Sequence, residues 1–418
     1  MLTKEETKFK ETEIGLIPEE WKVKELGDII EFNPYRSLKK GTICNFVTMA
    51  DLNPFQRQIA KSCIKEFSGG SKFRNGDTLL ARITPCLENG KTAFVDILKN
   101  NIVAGGSTEF MVLAPCDSKV IDNTFIYYLF TSKVIRDMAI KSMVGSSGRQ
   151  RVQEDMLAGY KISLPPLHEQ KSIAEILSSL DEKIELNRRM NKTLEEMGKA
   201  LFKRWFVDFE FPDENGKPYK SSGGKMVDSE LGEIPEGWKV DLLGNLINRL
   251  ESGKRPKGGV DSSLKVGIPS IGAENINGLG FYDYSKTKFV DRDFYDKSLK
   301  GRVHDYDTLL YKDGASLGRK TLFGKGFPFS EFMVNEHVFI LTGSEEISSF
   351  FLYFWLDQPT VTQDIINLNA NSAQPGLNME SVKSLNILKP YQVVVNQFNQ
   401  FAKPIIDLIL KNSIESHL

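Results

Sequence analysis

The most restrictive feature of this chain is that it contains one opening twice. Residues 11–27 read ETEIGLIPEEWKVKELG and residues 228–244 read DSELGEIPEGWKVDLLG. At an offset of 217, ten of the 17 positions are identical: Glu13/Glu230, Gly15/Gly232, Ile17/Ile234, Pro18/Pro235, Glu19/Glu236, Trp21/Trp238, Lys22/Lys239, Val23/Val240, Leu26/Leu243 and Gly27/Gly244. Tryptophan occurs only four times in the chain, so a pair in register excludes coincidence. Weaker echoes follow in the same order. Asp77–Leu80 matches Asp307–Leu310, the strand at Glu109 matches that at Glu336, and TFIYYLF at 124–130 resembles SSFFLYFWL at 348–356. A period of half the chain far exceeds the roughly 20–50 residues of a solenoid repeat. The chain is a duplicated domain.

Each half has the same plan, a globule of short apolar runs and Gly/Asn/Asp turns followed by a helix. After Pro165-Pro166 no proline and one glycine, Gly198, occur up to Val207. Apolar residues there alternate in steps of four and three: Ile173, Leu177, Leu180, Ile184, then Leu194 and Leu201, with Asn187 and Asn191 as a polar middle. That is a heptad seam. The second half repeats the spacing in Val394, Phe398, Phe401, Ile405 and Leu408, but Pro404 is expected to kink or restart that helix. A helix of about 40 residues is roughly 60 Å long, more than one such globule covers. Its economical partner is the second helix, in an antiparallel pair. The expected fold class is therefore mixed α+β: two similar α/β globules separated by a pair of long antiparallel helices (a coiled coil), in a pseudo-twofold internal duplication. The expected boundaries are 1–164 and 230–389 for the globules, 165–207 for the first helix, 208–229 for a polar linker and 390–418 for the second helix.

Several chemistries lack their residues. The cysteines Cys44, Cys63, Cys86 and Cys116 form no C-x-x-C pair and read as reduced core positions. Four histidines, with no H-E-x-x-H or G-x-S-x-G, leave little for hydrolysis, and no metal site is expected. Gly90-Lys91-Thr92 resembles the end of a phosphate loop, but Pro85 replaces its first glycine. Asn33-Pro34-Tyr35 and Asn53-Pro54-Phe55 lack the second proline of a methyltransferase N-P-P-[YF] loop, and no Gly-rich cofactor loop accompanies them. Pro212-Asp213 lacks the acidic-x-Lys that a nuclease motif needs. No apolar run approaches the ~18 residues of a membrane span, and the charged start lacks a signal peptide's apolar core. The chain reads as a soluble cytoplasmic protein with no membrane partner.

A formal net charge of −1 argues at first against nucleic acid. Counted by region, residues 1–164 carry 23 basic and 20 acidic side chains, and 228–390 carry 18 and 22. Within these lie basic patches. Arg36, Lys39 and Lys40 sit in the acid-free stretch 32–50, with Arg82 and Lys91 further on. The loop 138–153 carries Lys141, Arg149, Gln150 and Arg151, again without an acid until Glu154. Its counterpart at 367–378 is uncharged but offers Asn371 and Gln374. Arg reads guanine bidentately and Asn or Gln reads adenine, so two equivalent loops carry different base-reading chemistry. Lys254, Arg255 and Lys257, then Lys312, Arg319 and Lys320, complete the candidate DNA contacts.

In this combination the chain resembles the specificity subunits of type I restriction–modification systems. The residues carrying the resemblance are the two I-P-E-x-W-K-V-x-x-L-G openings at 17–27 and 234–244, and SLPPLHEQKSIAEILSSLDEKIELNRRMNKTLEEMGKALFKRWFVDFEFP at 163–212. The resemblance spans the chain in the order target domain, helix, target domain, helix. It implies two target-recognition domains that each read one half of a split double-stranded DNA site, directing adenine methylation and restriction by partner subunits. The helices would space the half-sites and dock two methyltransferase subunits, and restriction/translocase subunits would join them. The resemblance implies a non-catalytic chain that binds no cofactor, with S-adenosylmethionine, ATP and Mg on the partners. Shortening the first helix by a heptad is then expected to alter the spacer and not the half-sites. Two other readings are a self-contained DNA methyltransferase or restriction polypeptide, which needs the missing cofactor loop, and a coiled-coil adaptor without DNA, which needs no pair of differing globules.

Overall fold

The computed structural model describes residues 8–99, 102–146, 148–260, 264–370 and 376–417. The chain divides into two units, Met1–Glu182 and Lys183–Leu418. In unit 1, Phe9–Thr12 and Gly15–Pro18 form an antiparallel hairpin. Its turn requires a positive φ, supplied by Gly15 at +104°. The strand Lys22–Glu25 pairs with Lys161–Leu164, so the two ends of the globule's sequence are tied together. A single turn, α1 (Leu26–Ile29), packs so tightly that a Cβ on Gly27 would stand 3.1 Å from that of Ala158.

The core sheet runs in the order Ile30–Phe32, Phe110–Pro115, Thr78–Ala81, Thr92–Phe94, all antiparallel. A second sheet, Cys63–Glu66, Ile43–Val47, Ala104–Gly106, Ser71–Phe73, has one parallel pair, Ile43–Val47 with Ala104–Gly106. The helices α2 (Asn123–Thr131), α3 (Lys133–Lys141) and α4 (Glu154–Ala158) complete the globule. Asp122 caps α2 by accepting from the N–H groups of Thr124 and Phe125, and Phe125, Ile126 and Phe130 then pack on Leu80, Met111 and Leu113. The long helix α5 (Leu167–Phe206) starts one residue beyond Pro166. Buried Gln170 anchors it, donating to the carbonyls of Val120 (3.0 Å) and Pro165 (2.8 Å) and accepting from the Asp122 N–H (3.0 Å).

Unit 2 repeats these elements. The hairpin Met226–Ser229/Gly232–Pro235 turns at Gly232, φ +88°. Lys239–Leu242 pairs with Asn386–Lys389. After α6 (Leu243–Leu246), the core sheet has the same order: Ile247–Ser252, Val338–Gly343, Thr308–Tyr311, Lys320–Leu322. The second sheet is Lys288–Val290, Ile268–Ile271, Met333–Val334, and α7 (Arg292–Lys297) lies between its first strand and the core sheet in sequence. Then come α8 (Ser349–Leu356), α9 (Pro359–Ala370), α10 (Met379–Lys383) and α11 (Gln392–Glu415). The duplication legible in 17 residues extends to the hairpin, the strand pair that ties the ends and the core sheet, while the second sheet has three strands where unit 1 has four. None of the described helices is long and apolar enough to cross a membrane.

The segment 208–229 carries more structure than its polar composition announces. Phe209 and Phe211 are buried against Trp238, with Phe211 stacked on the indole at 4.8 Å, and residues 226–229 form a strand. The cysteine expectation holds only for buried Cys44. Cys63 lies on an edge strand and is exposed, as is Cys116, and Cys86 is half-buried.

The helix seam is re-phased. Within unit 2 the second half of α5 packs on α11, whose buried residues are Val394, Val395, Phe398, Ala402, Ile406, Ile409, Leu410, Asn412 and Ser413, so that Val394 and Phe398 of the expected seam face inward. Phe401 and Leu408 are exposed, and Leu180 of α5 is 55% exposed. Over a helix this short the 3.6-residue period decides which face is inward, and a strict 3.5 repeat drifts off it. Pro404 neither restarts nor ends α11, which runs through it as one element with Pro404 on the solvent side. The polar middle of the seam is a hydrogen-bonded lock. Asn187 donates to the Asn412 carbonyl (3.2 Å), Asn412 to Asn191 Oδ1 (2.9 Å), and Asn191 to the Ile409 carbonyl (3.2 Å). Phe398→Ala is expected to cost about 3–5 kcal/mol. Phe401→Ala is expected to cost less than about 1.5 kcal/mol, because its ring keeps one face in water. Urea denaturation of the full chain measures both.

Candidate nucleic-acid interface

In both units a loop crosses the end of an inner strand of the core sheet at the same backbone position. In unit 1 the Val152 N–H donates to the Arg82 carbonyl at 2.9 Å, and in unit 2 the Leu377 N–H donates to the Lys312 carbonyl at 2.9 Å. The carbonyl of the next strand is also shared: Arg82 N–H donates to Glu109 O (3.0 Å) and Lys312 N–H to His337 O (3.1 Å). Strand register therefore makes Arg82 the counterpart of Lys312 in the repeat, and Glu109 that of His337 rather than Glu336. The loops are equivalent in the fold, as their spacing suggests.

The side chains on this common frame differ. In unit 1 Arg151 grips Glu109 through two bonds, Nε at 2.9 Å and a terminal nitrogen at 2.6 Å, and Arg82 Nε stands 3.6 Å from the same carboxylate. The Arg151 hydrogen bonds hold the Glu109 carboxyl below the usual carboxylate range against its partial burial. Arg149 is exposed beside this pair, and Gln150 is fixed through its carbonyl, which accepts from Thr84 N–H (3.0 Å). Next to Arg82 lies a cleft of about 450 Å³ lined by Tyr35, Arg36, Lys72 and Thr108. Lys39 and Lys40 are exposed on the loop that leads from Tyr35. Tyr35 is 86% exposed, an aromatic face among cations, which suits stacking on a base or sugar.

In unit 2 the equivalent position is His337, whose Nδ1 lies 2.7 Å from Asp313 and Nε2 3.3 Å from Glu336. Arg255 reaches Glu336 at 2.7 Å, and Lys312 sits 4.9 Å over the Phe339 ring. Lys254 and Lys257 are exposed. Arg319 is exposed and donates to Asn277 at 3.2 Å. One unit thus presents a carboxylate between two guanidiniums, the other an imidazole between two carboxylates.

Three sequence candidates serve the fold or depart from the surface. Arg36 pairs at 3.1 Å with Asp77, which is buried under the core sheet, although the Arg36 side chain also lines the cleft. Burial pushes the Asp77 carboxyl up, opposed by its bonds to Arg74 N–H and Arg36. Unit 2 builds the same device from Arg249 and buried Asp307. Lys91 is half-buried, its ammonium donating to the Met49 carbonyl at 2.7 Å. Lys320 is a correction: its side chain is 5% exposed, bonded to Thr362 (2.8 Å) and 3.6 Å from Asp357, so it cannot meet a phosphate. Burial pushes its ammonium down, opposed by Asp357. Its place on a three-residue strand of the core sheet explains this. Lys141 is not in the loop but closes α3, exposed. Asn371 and Gln374 lie outside the described residues. Glu109, Lys72 and the Asp313–His337 pair escape a search for basic runs, since they gain these neighbours only by folding, and Tyr35, though inside the 32–50 stretch, carries no charge for such a search to find.

Residues 18–196 match the family described as the type I restriction modification DNA specificity domain. The chain is 27% identical to the type I restriction enzyme MjaIX specificity subunit of Methanocaldococcus jannaschii, over 97% of this chain and 91% of that protein. It is 24% identical to the HindI specificity subunit of Haemophilus influenzae, over 95% of each. In fold it is similar to the crystal structure of a type I restriction–modification system S subunit from M. genitalium, with a TM-score of 0.51 at 15% identity over 95% of this chain and 96% of that one.

Removing the partner of a buried charge separates the fold-serving cations from the surface ones. Arg36→Ala is expected to cost about 3–5 kcal/mol by stranding Asp77. Arg149→Ala is expected to stay within about 0.5 kcal/mol. Thermal unfolding at neutral pH measures both. Glu109 supplies a pH signature. Its folded pKa lies below the ordinary value of 4.5, so its stabilisation is complete above that value and is lost as pH falls through the depressed one. Acid titration of stability should therefore show a shallower loss below pH 4.5 in Glu109→Gln than in the parent chain.

Proposed function

We propose that the chain is a member of the type I restriction–modification DNA specificity family, which its matched residues 18–196 and its full-length similarity to such subunits support, and that it is the DNA-reading subunit of such a complex. Each unit reads one half of a bipartite site, and partner subunits methylate adenine or restrict according to that reading. The observation that carries the proposal is the shared loop-to-strand crossing at Arg82 and Lys312, one backbone frame bearing opposite side-chain chemistry. A split, asymmetric site asks for that arrangement: the same docking in both halves, and different donors and acceptors at the base edges.

Arg149 and Arg151 offer guanidiniums to guanine in unit 1, while Lys39, Lys40, Lys72, Lys254 and Lys257 offer charge to phosphate. The chain contributes recognition and no catalysis. S-adenosylmethionine belongs to two methyltransferase subunits, and ATP and Mg to restriction/translocase subunits. A near-neutral chain supplies base reading while its partners add grip on the backbone, so affinity should depend on assembly. Fluorescence anisotropy on a duplex carrying the modified motif tests this. The chain with its methylating partner should bind at least tenfold tighter than the chain alone, with affinity falling steeply as salt rises. Nanomolar, salt-resistant binding by the chain alone contradicts the reading.

A further inference from the structure

Arg151 is held by its backbone and by its side chain at once. Its N–H donates to the Val144 carbonyl at 2.9 Å and its carbonyl accepts from the Val144 N–H at 3.0 Å, which closes the loop between them. The next residue, Val152, bonds to the Arg82 carbonyl, so the chain leaves the loop on the core sheet. The side chain then meets Glu109 edge to edge, Nε at 2.9 Å from one carboxylate oxygen and Nη2 at 2.6 Å from the other. Glu109 is fixed in turn: its N–H donates to Ser107 Oγ at 3.2 Å and its carbonyl accepts from the Arg82 N–H.

A guanidinium carries five N–H groups in a rigid planar fork. Glu109 takes the two along one side, which leaves the parallel pair at the end of the fork, on Nη1 and Nη2. Among the described residues no acceptor meets Nη1, and the Arg151 side chain is 46% exposed. Two parallel donors match the O6 and N7 acceptors of guanine. A phosphate suits this fork less well, because Glu109 cancels its charge and repels an anion at close range. Neutral base-edge acceptors meet no such repulsion. A side chain ordered before DNA arrives also loses little freedom on binding, and that order is what makes a contact discriminate.

Unit 2 excludes the same device at the same place. Leu377 corresponds to Val152, so Gly376 corresponds to Arg151. Gly376 has φ +139°, and a Cβ there would stand 2.7 Å from the Asp313 carboxylate. No fork can be carried from that position, and His337, bonded to Asp313, takes the place of Glu109.

Given the DNA-reading role proposed above, on which this rests, we infer that Arg151 reads one guanine in the half-site of unit 1. Glu109 is the positioning residue that gives this contact its selectivity. The test sequences the methylated sites of cells that carry the methylating partner with the parent chain, Arg151→Ala or Glu109→Gln. One guanine position in one half-site should become degenerate in both variants, with discrimination against the other bases falling about tenfold. The other half-site should stay strict. Fluorescence anisotropy on the purified complexes separates positioning from support of the fold. Glu109→Gln removes a negative charge, so it should bind a duplex lacking the motif about twofold more tightly while losing its preference for guanine. A role in the fold alone would weaken binding to both duplexes and leave the motif strict, which overturns the inference. Arg151→Ala changes a part-exposed side chain and decides the matter if Glu109→Gln fails to assemble. A motif that stays strict in Arg151→Ala while binding falls equally on every sequence marks a phosphate contact and overturns the inference, as does degeneracy in both half-sites. A parent chain that yields no bipartite motif overturns the DNA-reading role itself, and the inference with it.

Discussion

The interaction on which the rest of unit 2 depends is the aromatic wedge at the end of α5. Phe202 and Phe206 enter between Phe351 and Phe398, at centroid distances of 4.8–5.6 Å, and all four rings are fully buried. Edge-on and tilted contacts among such rings add about 0.5–1.5 kcal/mol per pair beyond the area they bury. The wedge joins the globule's helix α8 to the pair α5–α11, so the reading surface is mounted on a stiff base. The Asn187–Asn412–Asn191 bonds fix how far the two helices slide. An apolar seam alone tolerates slippage by a turn, whereas a buried amide out of register loses its partners.

On that base the protein separates holding from reading. Arg36–Asp77 and Arg249–Asp307 each place a guanidinium against a buried carboxylate; the two aspartates are equivalent in the repeat and the two arginines are not. Such pairs leave little charge for a ligand. The outward cations Arg149, Lys39, Lys40, Lys254 and Lys257 carry no comparable burial. Between these groups stand Glu109 and His337, half-buried at one topological position with partners of opposite sign. Exchanging such residues changes what a base edge meets without disturbing the sheet beneath. That is the property a reader of variable sequences needs.

Much of this was legible in the sequence for definite physical reasons. The Trp21/Trp238 pair announces the duplication, and the paired glycines Gly15 and Gly232 of the same opening prove to be the positive-φ turns of two hairpins. The long proline-free stretch announces α5, whose Glu169 and Gln170 prove to be anchors for Trp21 and the α2 cap. What the sequence hid depends on tertiary neighbours. Lys320 looks like a surface cation until its strand is placed inside the core sheet, and Phe401 looks like a seam residue until the helical phase is known. The polar stretch after Phe206 looks like a tether, because nothing local says that Phe209 and Phe211 find Trp238.

The central claim is that each unit reads its own half-site on a common frame. It is tested most directly by sequencing the methylated sites of cells that carry this chain with its methylating partner. The comparison is the same chain with residues 8–164 exchanged for those of a relative. The account predicts a bipartite motif in which one half-site changes and the other stays as it was. A motif in which both halves change, or neither does, would contradict it.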